Sequence, residues 1–280
     1  MAHCIIVGCG DVGSRLAAQL VAGGHSVTGV RRRQAELPAG VQTLQADVAA
    51  PACPAGWPEQ VDYLVYAVAA GRGGEAAYQA AYVDGLRNVL GWLAQRQQRV
   101  KRLVFVSSTG VYGQSAGEWV DEDAETAPTG FSGRILLAAE QLALASDQPA
   151  TWLRLAGIYG PGRGYLLSQA QSGAQAEPLQ YGNRIHADDA ASLLASLIAK
   201  AEQGVALAEG YIGVDDEPAP LDEVLRWLRA QLGVTEGGGE LLKRRAGSKR
   251  CRNTRARALG WAPQYPSYRE GYAALLQRAD

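Results

Sequence analysis

Lysine is scarce in this 280-residue chain: Lys101, Lys200, Lys243 and Lys249 are the only four, and arginine supplies the rest of its 27 basic residues. No lysine falls between Lys101 and Lys200, and no tyrosine falls between Tyr112 and Tyr159. Chemistry that needs a phenol and an ammonium side by side in that stretch is therefore excluded. A charge surplus is also missing, with a formal net charge of -1 and a pI near 6.3. That balance argues against a general nucleic-acid binder or an anionic-membrane binder. The four cysteines, Cys4, Cys9, Cys53 and Cys251, form no C-x-x-C, and no Cys/His cluster has zinc-ligand spacing. Cys4 and Cys9 sit in and just after an apolar run and read as reduced core thiols, a pattern that fits a reducing cytoplasm. Long apolar runs are lacking too. "LLASLIA" is far short of the roughly 18 residues that a membrane span needs. The opening "MAHCIIVGCGDVG" has no basic n-region and enters a strand pattern at once, which predicts no secretory leader.

What is present is a soluble α/β pattern. Hydrophobic residues make up 47% and charged ones 20%, enough for a packed core and against bulk disorder. Short apolar runs predict strands at "HCIIVG", "HSVTGV", "VDYLVYAVAA", "RLVFVSS" and "TWLRLAGIYG". Between them, "SRLAAQLVAG", "EAAYQAAYVDGLRNVLGWLAQR" and "APTGFSGRILLAAEQLALA" read as helices. The alternation predicts a doubly wound parallel sheet of Rossmann type with helices on both faces. From about Gly160 the texture shifts to Gly, Pro, Gln and Asn. A helix is expected at "ADDAASLLASLIAKA", a strand at "GYIGV", a helix at "LDEVLRWLRAQLG", and a basic loop at "EGGGELLKRRAGSKRCRNTRARALGW". The expected organisation is a Rossmann domain over residues 1–160 and a small, interleaved C-terminal α/β lobe over 161–280.

The first strand runs into "VGCGDVG", which places Gly8, Gly10 and Gly13 in G-x-G-x-x-G between a strand and a helix. The first glycine permits the tight turn, the second lets a pyrophosphate approach the backbone, and the third lets the helix pack on the strand. The helix start then offers N–H donors and a positive dipole end to phosphate. Asp11 and Val12 within the loop, and Ala67 at the end of "DYLVYA", complete the expected contacts. The second strand ends in Arg31, Arg32 and Arg33, and the first acidic residue after it is Glu36. NAD proteins usually place a carboxylate there for the ribose 2′-OH, whereas arginine suits the 2′-phosphate of NADP. The expected cofactor is NADP(H), with NAD(H) as the alternative and a solvated basic turn as the plain structural one. Asp47, in "QADVAA", is a candidate acceptor for the adenine amino group or a surface-loop residue.

With "VKRLVFVSSTGVYG", "APTGFSGRILLAAE", "WLRLAGIYGPG" and "RIHADDAA" in that order, the chain resembles the NAD-dependent epimerase/dehydratase family, the extended and atypical short-chain dehydrogenases/reductases. The resemblance extends to the C-terminal "ALGWAPQYPSYREGYAALL". It implies a Rossmann sheet with a small substrate lobe, and hydride transfer at a sugar or hydroxyl carbon. The nucleotide-sugar branch usually has G-x-x-G-x-x-G, and the shorter loop here looks like an atypical subgroup. By the resemblance Ser108 matches the Ser/Thr that hydrogen-bonds the reacting oxygen. Thr109 and Gly110 stand where 4,6-dehydratases carry Asp-Glu, which argues against that reaction. The family's Tyr-x-x-x-Lys falls on Ser132 and Leu136, while Gly133, Arg134, Leu137 and Glu140 keep the register. Relatives often pair through the segments 75–96 and 130–146, so a monomer or a homodimer is expected.

A tyrosine titrates near pH ~10 and a neighbouring cation brings it towards neutrality. A serine is a much weaker acid, and losing a positioned acid/base costs about 10²–10⁴ in rate. Substitute acids to consider are Tyr159, Tyr112, Glu118, Asp121, Glu122 and Asp123, each with a structural alternative. Arg154 and Arg184 are candidates to face an anionic substrate, or else to make ion pairs. The cluster Lys243, Arg244, Arg245, Lys249, Arg250 and Arg252 either lines a phosphate site or forms a solvated face. Two functions stay open. One is an NADP(H)-dependent oxidoreductase or epimerase acting on an unidentified small-molecule or nucleotide-sugar-like substrate, with Ser108 and Ser132 orienting the reacting oxygen. The other is an inactive NADP(H)-binding sensor or scaffold.

Overall fold

The computed structural model describes residues 1–71, 73–235, 238–242 and 247–277. Strand β1 (His3–Val7) leads into helix α1 (Asp11–Ala22), whose buried Val12, Gly13, Leu16, Ala17 and Leu20 recur at helical spacing. Strand β2 (Ser26–Arg31) follows, then β3 (Val41–Gln45) and β4 (Tyr63–Tyr66). Strand β5 (Arg102–Ser108) comes after the helical segment discussed below. With strands Ala150–Leu155 and Gly210–Gly213 these form one parallel sheet, ordered β3, β2, β1, β4, β5, Ala150–Leu155, Gly210–Gly213. Cys4 is in register with both Val27 of β2 and Tyr63 of β4. The strand order reverses between β1 and β4, and ligands of open α/β sheets bind at that switch point. β1 and β4 are buried almost throughout, as a strand covered on both faces must be.

Two local differences from the sequence pattern have physical causes. β3 lacks an apolar run because it is the sheet edge: only Leu44 of its five residues is buried. The single helix expected from Glu75 to Arg96 is interrupted. Helix α2 (Gly74–Tyr78) opens into a π-helical turn at Gln79–Asp84 before α3 (Gly85–Gln95). Tyr66 Oη donates to the Ala81 carbonyl at 2.5 Å, drawing that acceptor away from the regular helical ladder. Helix α4 (Phe131–Leu144) then packs on the π turn and on β5.

The chain divides into two compact units. The first is Met1–Val111, Pro128–Arg154 and Ala191–Tyr211; the second is Tyr112–Ala127, Leu155–Ala190 and Ile212–Asp280. The crossing after Arg154 falls near the expected boundary at residue 160, but the chain also crosses after Val111, Ala127, Ala190 and Tyr211. The second unit has helices Tyr165–Gln171, Leu221–Gln231, Thr254–Ala258 and Tyr268–Gln277. Its core centres on Tyr159, Val224, Leu225, Leu228, Tyr268 and Tyr272. The basic stretch expected to be a loop contributes short strands, Leu241–Leu242 and Lys249–Cys251, each paired in parallel with an upstream strand. Lys243, Arg244 and Arg245 lie outside the described residues. Among the described residues no helix is long and apolar enough to cross a membrane.

Candidate functional site

The glycine loop is built as its three positions require. Gly8 adopts φ +91, a left-handed conformation that disfavours side chains, and a Cβ there would run into the Ala67 and Val68 backbone. Its amide and that of Cys9 both donate to Val30 O, at 3.1 and 3.0 Å, which ties the loop to β2. At Gly13 a Cβ would lie 2.8 Å from Gly8 O and 3.2 Å from Ile6 Cγ2, so α1 packs on β1 only without a side chain. Gly10 is different. A Cβ there would meet nothing closer than Gly8 O at 3.9 Å, so the space in front of it is open. Gly10 is also the N-cap of α1, and no side chain caps the helix start. A helix N-terminus left uncapped beside open space is suited to an anion, and the loop fits a dinucleotide pyrophosphate.

Ala67 N donates to Val7 O at 2.7 Å, holding the end of β4 against the loop. Val12 is buried in α1, and Asp11 turns its carboxylate along the helix to Arg15 at 2.8 Å. Arg31 closes β2 near enough for its charge to act on the Cys9 thiol, although burial dominates and raises that thiol above its ordinary value. The Arg32 guanidinium reaches towards Gly71, in the loop after β4. Asp47 is exposed, and its Oδ1 accepts from Ala49 N at 3.0 Å in a local turn.

Ser108 ends β5, and its Oγ accepts the Gly110 N–H at 3.1 Å. Ser132 sits half-buried in the first turn of α4. A Cβ on Gly133 would strike Gly110 O and Pro128, so that glycine lets α4 lie directly against the loop after Ser108. Leu136, at the lysine position, is only 5% exposed and packs as a core residue. Two features were not found from sequence. The Ser107 Oγ is buried with no hydrogen-bond partner among the described residues. Tyr78 and Tyr82 put their rings 5.3 Å apart at the π turn, and Tyr78 meets Phe131 of α4 edge-on at 5.5 Å. The i, i+4 spacing in "EAAYQAAYVDG" is the signal that could have found them.

The substitute acids named from sequence are occupied elsewhere. Tyr159 is buried, stacks on Tyr272 at 4.6 Å, and donates to Ser267 O at 3.4 Å. Tyr112 donates to Asp121 O at 2.8 Å. Glu118 accepts from Ala116 N, Asp121 from Asp123 N, and Asp123 pairs with Arg255 at 2.8 Å. Glu122 is buried and accepts Ile212 N at 2.9 Å. Of the two readings left open for the arginines, the structure gives Arg154 the ion pair, and both side chains are buried. Arg154 makes a two-pronged pair with Glu140 at 3.0 and 2.7 Å, under the Trp152 ring. Arg184 is buried and donates to Gly182 O at 3.1 Å. In the described part of the basic cluster, Lys249 is buried and donates to Tyr112 O, while Arg250 and Arg252 lie over Trp119 at 4.8 and 4.7 Å.

A parallel sheet with a glycine turn at its switch point, opening an uncapped helix, defines a Rossmann-type dinucleotide-binding protein. The chain belongs to the NAD dependent epimerase/dehydratase family, whose model matches residues 4–209. A solved Methylobacillus flagellatus protein, described as of the NAD-dependent epimerase/dehydratase type, is 39% identical with a TM-score of 0.82, over 99% of this chain and 98% of that one. The 3-diazoavenalumate denitrifying reductase of a Streptomyces species is 29% identical over 94% of this chain and 96% of its own length. MoeE5, solved with UDP-glucuronic acid and NAD, has a TM-score of 0.80 at 20% identity over the whole of both chains, a likeness of fold.

Proposed function

We propose that this chain is an NADP(H)-dependent reductase of a small organic acceptor, working in the cytoplasm as a monomer or homodimer. The observation that carries the proposal is the pair Arg31 and Arg32 at the end of β2, beside the glycine loop and without a carboxylate at that strand end. An arginine fork favours a dianionic 2′-phosphate, which a carboxylate would repel. A relative named as a reductase, aligned over 94% of the chain, favours reduction over epimerisation.

In this proposal the bound dinucleotide supplies the reducing electron pair. The uncapped start of α1 and Gly10 hold its pyrophosphate, Arg31 and Arg32 take the 2′-phosphate, and Asp47 accepts from the adenine amino group. Ser108 and Ser132 orient the acceptor's reacting atom. The buried Leu136 offers no charge, so proton supply cannot follow the family's usual pairing.

The test is transfer from deuterium-labelled NADPH into a panel of carbonyl compounds and nucleotide sugars, with NADH in parallel. Stereospecific incorporation from NADPH is the expected result. Cofactor binding without transfer to any acceptor would return the non-catalytic sensor.

A further inference from the structure

The family's proton donor is a phenol on α4 whose phenolate is stabilised by a cation, and both groups are gone. Every acid suggested by sequence has a structural partner in place. Within the first unit, the Tyr66 hydroxyl donates to Ala81 O, the Tyr63 oxygen is buried without a hydrogen-bond partner among the described residues, and the Tyr211 oxygen accepts the Ala208 N–H. Tyr82 is set apart by its place, in the π turn beside α4 and against the loop after β4. Its oxygen accepts the Ala70 N–H at 3.4 Å, and its own proton has no acceptor among the described residues. Ala70 stands three residues beyond Ala67, in the loop that closes against Gly8. Tyr82 itself lies in the π turn that packs on α4, and the aromatic row Tyr82, Tyr78, Phe131 ends beside Ser132. An extra residue in a helix re-aims the side chains around it, and such turns recur at functional sites.

Resting on the reductase proposal above, we infer that Tyr82 is the proton donor of this protein, supplied from the π turn in place of the missing tyrosine of α4, with the Ala70 N–H in place of the lysine. As the acceptor's double bond takes up a hydride, the electron pair with its hydrogen, from the reduced dinucleotide at one atom, the Tyr82 O–H bond breaks and its proton goes to the other atom. The phenolate left behind is held by the Ala70 amide and regains its proton from water. A donated hydrogen bond stabilises a phenolate as a nearby cation does, though more weakly. Burial holds the Tyr82 phenol above its ordinary value, and the Ala70 bond opposes that shift. The group therefore stays protonated at neutral pH, as a donor for reduction must be.

The test uses the full chain, with Tyr82→Phe and Tyr78→Phe. Tyrosine carrying carbon-13 at Cζ is followed by NMR while NADP+ is added, and the Tyr82 signal is assigned by its loss in Y82F. The inference expects that signal to move on NADP+ binding and the Tyr159 signal to stay. With any acceptor that the wild type reduces, Y82F should lower kcat by about 10²-fold or more, leave NADPH affinity within about two-fold of wild type, and remove the fall in rate at high pH. Y78F should keep at least half of the rate. An unmoved Tyr82 signal with NADP+ bound, or full turnover with an unchanged pH profile in Y82F, would overturn the inference and leave the cofactor assignment standing. If neither NADP+ nor NAD+ binds, the reductase proposal fails first and this inference with it.

Discussion

Replacing Glu140 with alanine tests how α4 is anchored. Its carboxylate grips the Arg154 guanidinium through two bonds, at 3.0 and 2.7 Å, and the two side chains are 2% and 5% exposed. In E140A the guanidinium stays buried without its counter-charge, because Trp152 covers it at 3.8 Å. Breaking a buried pair on one side costs about 3–5 kcal/mol. That is a large part of the roughly 5–15 kcal/mol by which domains are stable. At roughly 2–4 °C per kcal/mol, the melting temperature should fall by about 6–20 °C. Circular dichroism melts at neutral pH measure this, with E140L/R154M as the second arm. Removing both charges together leaves no orphan, so the double variant should lie within about 1–2 kcal/mol of wild type. A loss in E140A below about 1 kcal/mol, or a double variant as unstable as the sum of its singles, would refute the reasoning.

Three further outcomes follow from the geometry. A Cβ on Gly10 would meet nothing closer than 3.9 Å, while its φ of -85 and ψ of -144 lie outside the regions that side chains favour, so Gly10→Ala should cost a little melting temperature and lower dinucleotide affinity, measured by calorimetry, at least ~10-fold. Unchanged affinity would show that no phosphate approaches there. Burial raises the Asp189 carboxyl to about 6, against the pull of the Gln264 and Tyr265 amides. A carboxyl whose folded pKa is raised contributes stability below its unfolded pKa, near 3.8, that is lost as pH rises towards 6. The stability of wild type relative to D189N should therefore fall across that window by an amount on the order of 3 kcal/mol, and parallel curves in urea titrations would contradict this. Burial pushes the Cys4 thiol up to about 12 and raises Cys9, and Cys251 is buried as well. Native alkylation followed by mass spectrometry should label Cys53 first, and the other three thiols only after unfolding. Prompt labelling of Cys4 would contradict the burial.

The parts of the fold that were legible in sequence are those that the backbone itself demands. Gly8, Gly10 and Gly13 are fixed by a positive φ, an open approach and a helix contact, and each leaves a glycine in the sequence. β1 and β4 leave unbroken apolar runs because both of their faces are covered. β3 left no such mark, since an edge strand with one buried residue resembles a loop. How the chain passes between the units leaves no mark in local sequence. Tyr112–Ala127 joins the second unit through side-chain and strand partners far along the chain, such as Lys249 pairing opposite Glu118. Ser132 and Leu136 are plain in the sequence, and it is the resemblance that aligns them with the family's Tyr-x-x-x-Lys. Tyr82 could not be found in this way, because its relation to Ala70 depends on a π turn set by Tyr66, fifteen residues before Ala81. Arg154 left two readings open in sequence, because the fifth residue of a six-residue strand does not show which side chain it meets until its buried partner, fourteen residues upstream, is known.

The central claim is that the end of β2 selects the 2′-phosphate. It is tested most directly by calorimetric titration of NADPH, NADP+, NADH and NAD+ into wild type and Arg31→Ala. A hydrogen bond to a charged group is worth about 1.5–3 kcal/mol, which corresponds to roughly a 10- to 150-fold change in affinity. The account predicts tighter binding of NADPH than of NADH to wild type, with most of that margin lost in R31A and NADH affinity unchanged. Tighter binding of NADH to wild type, or an R31A protein that keeps its NADPH preference, would contradict it.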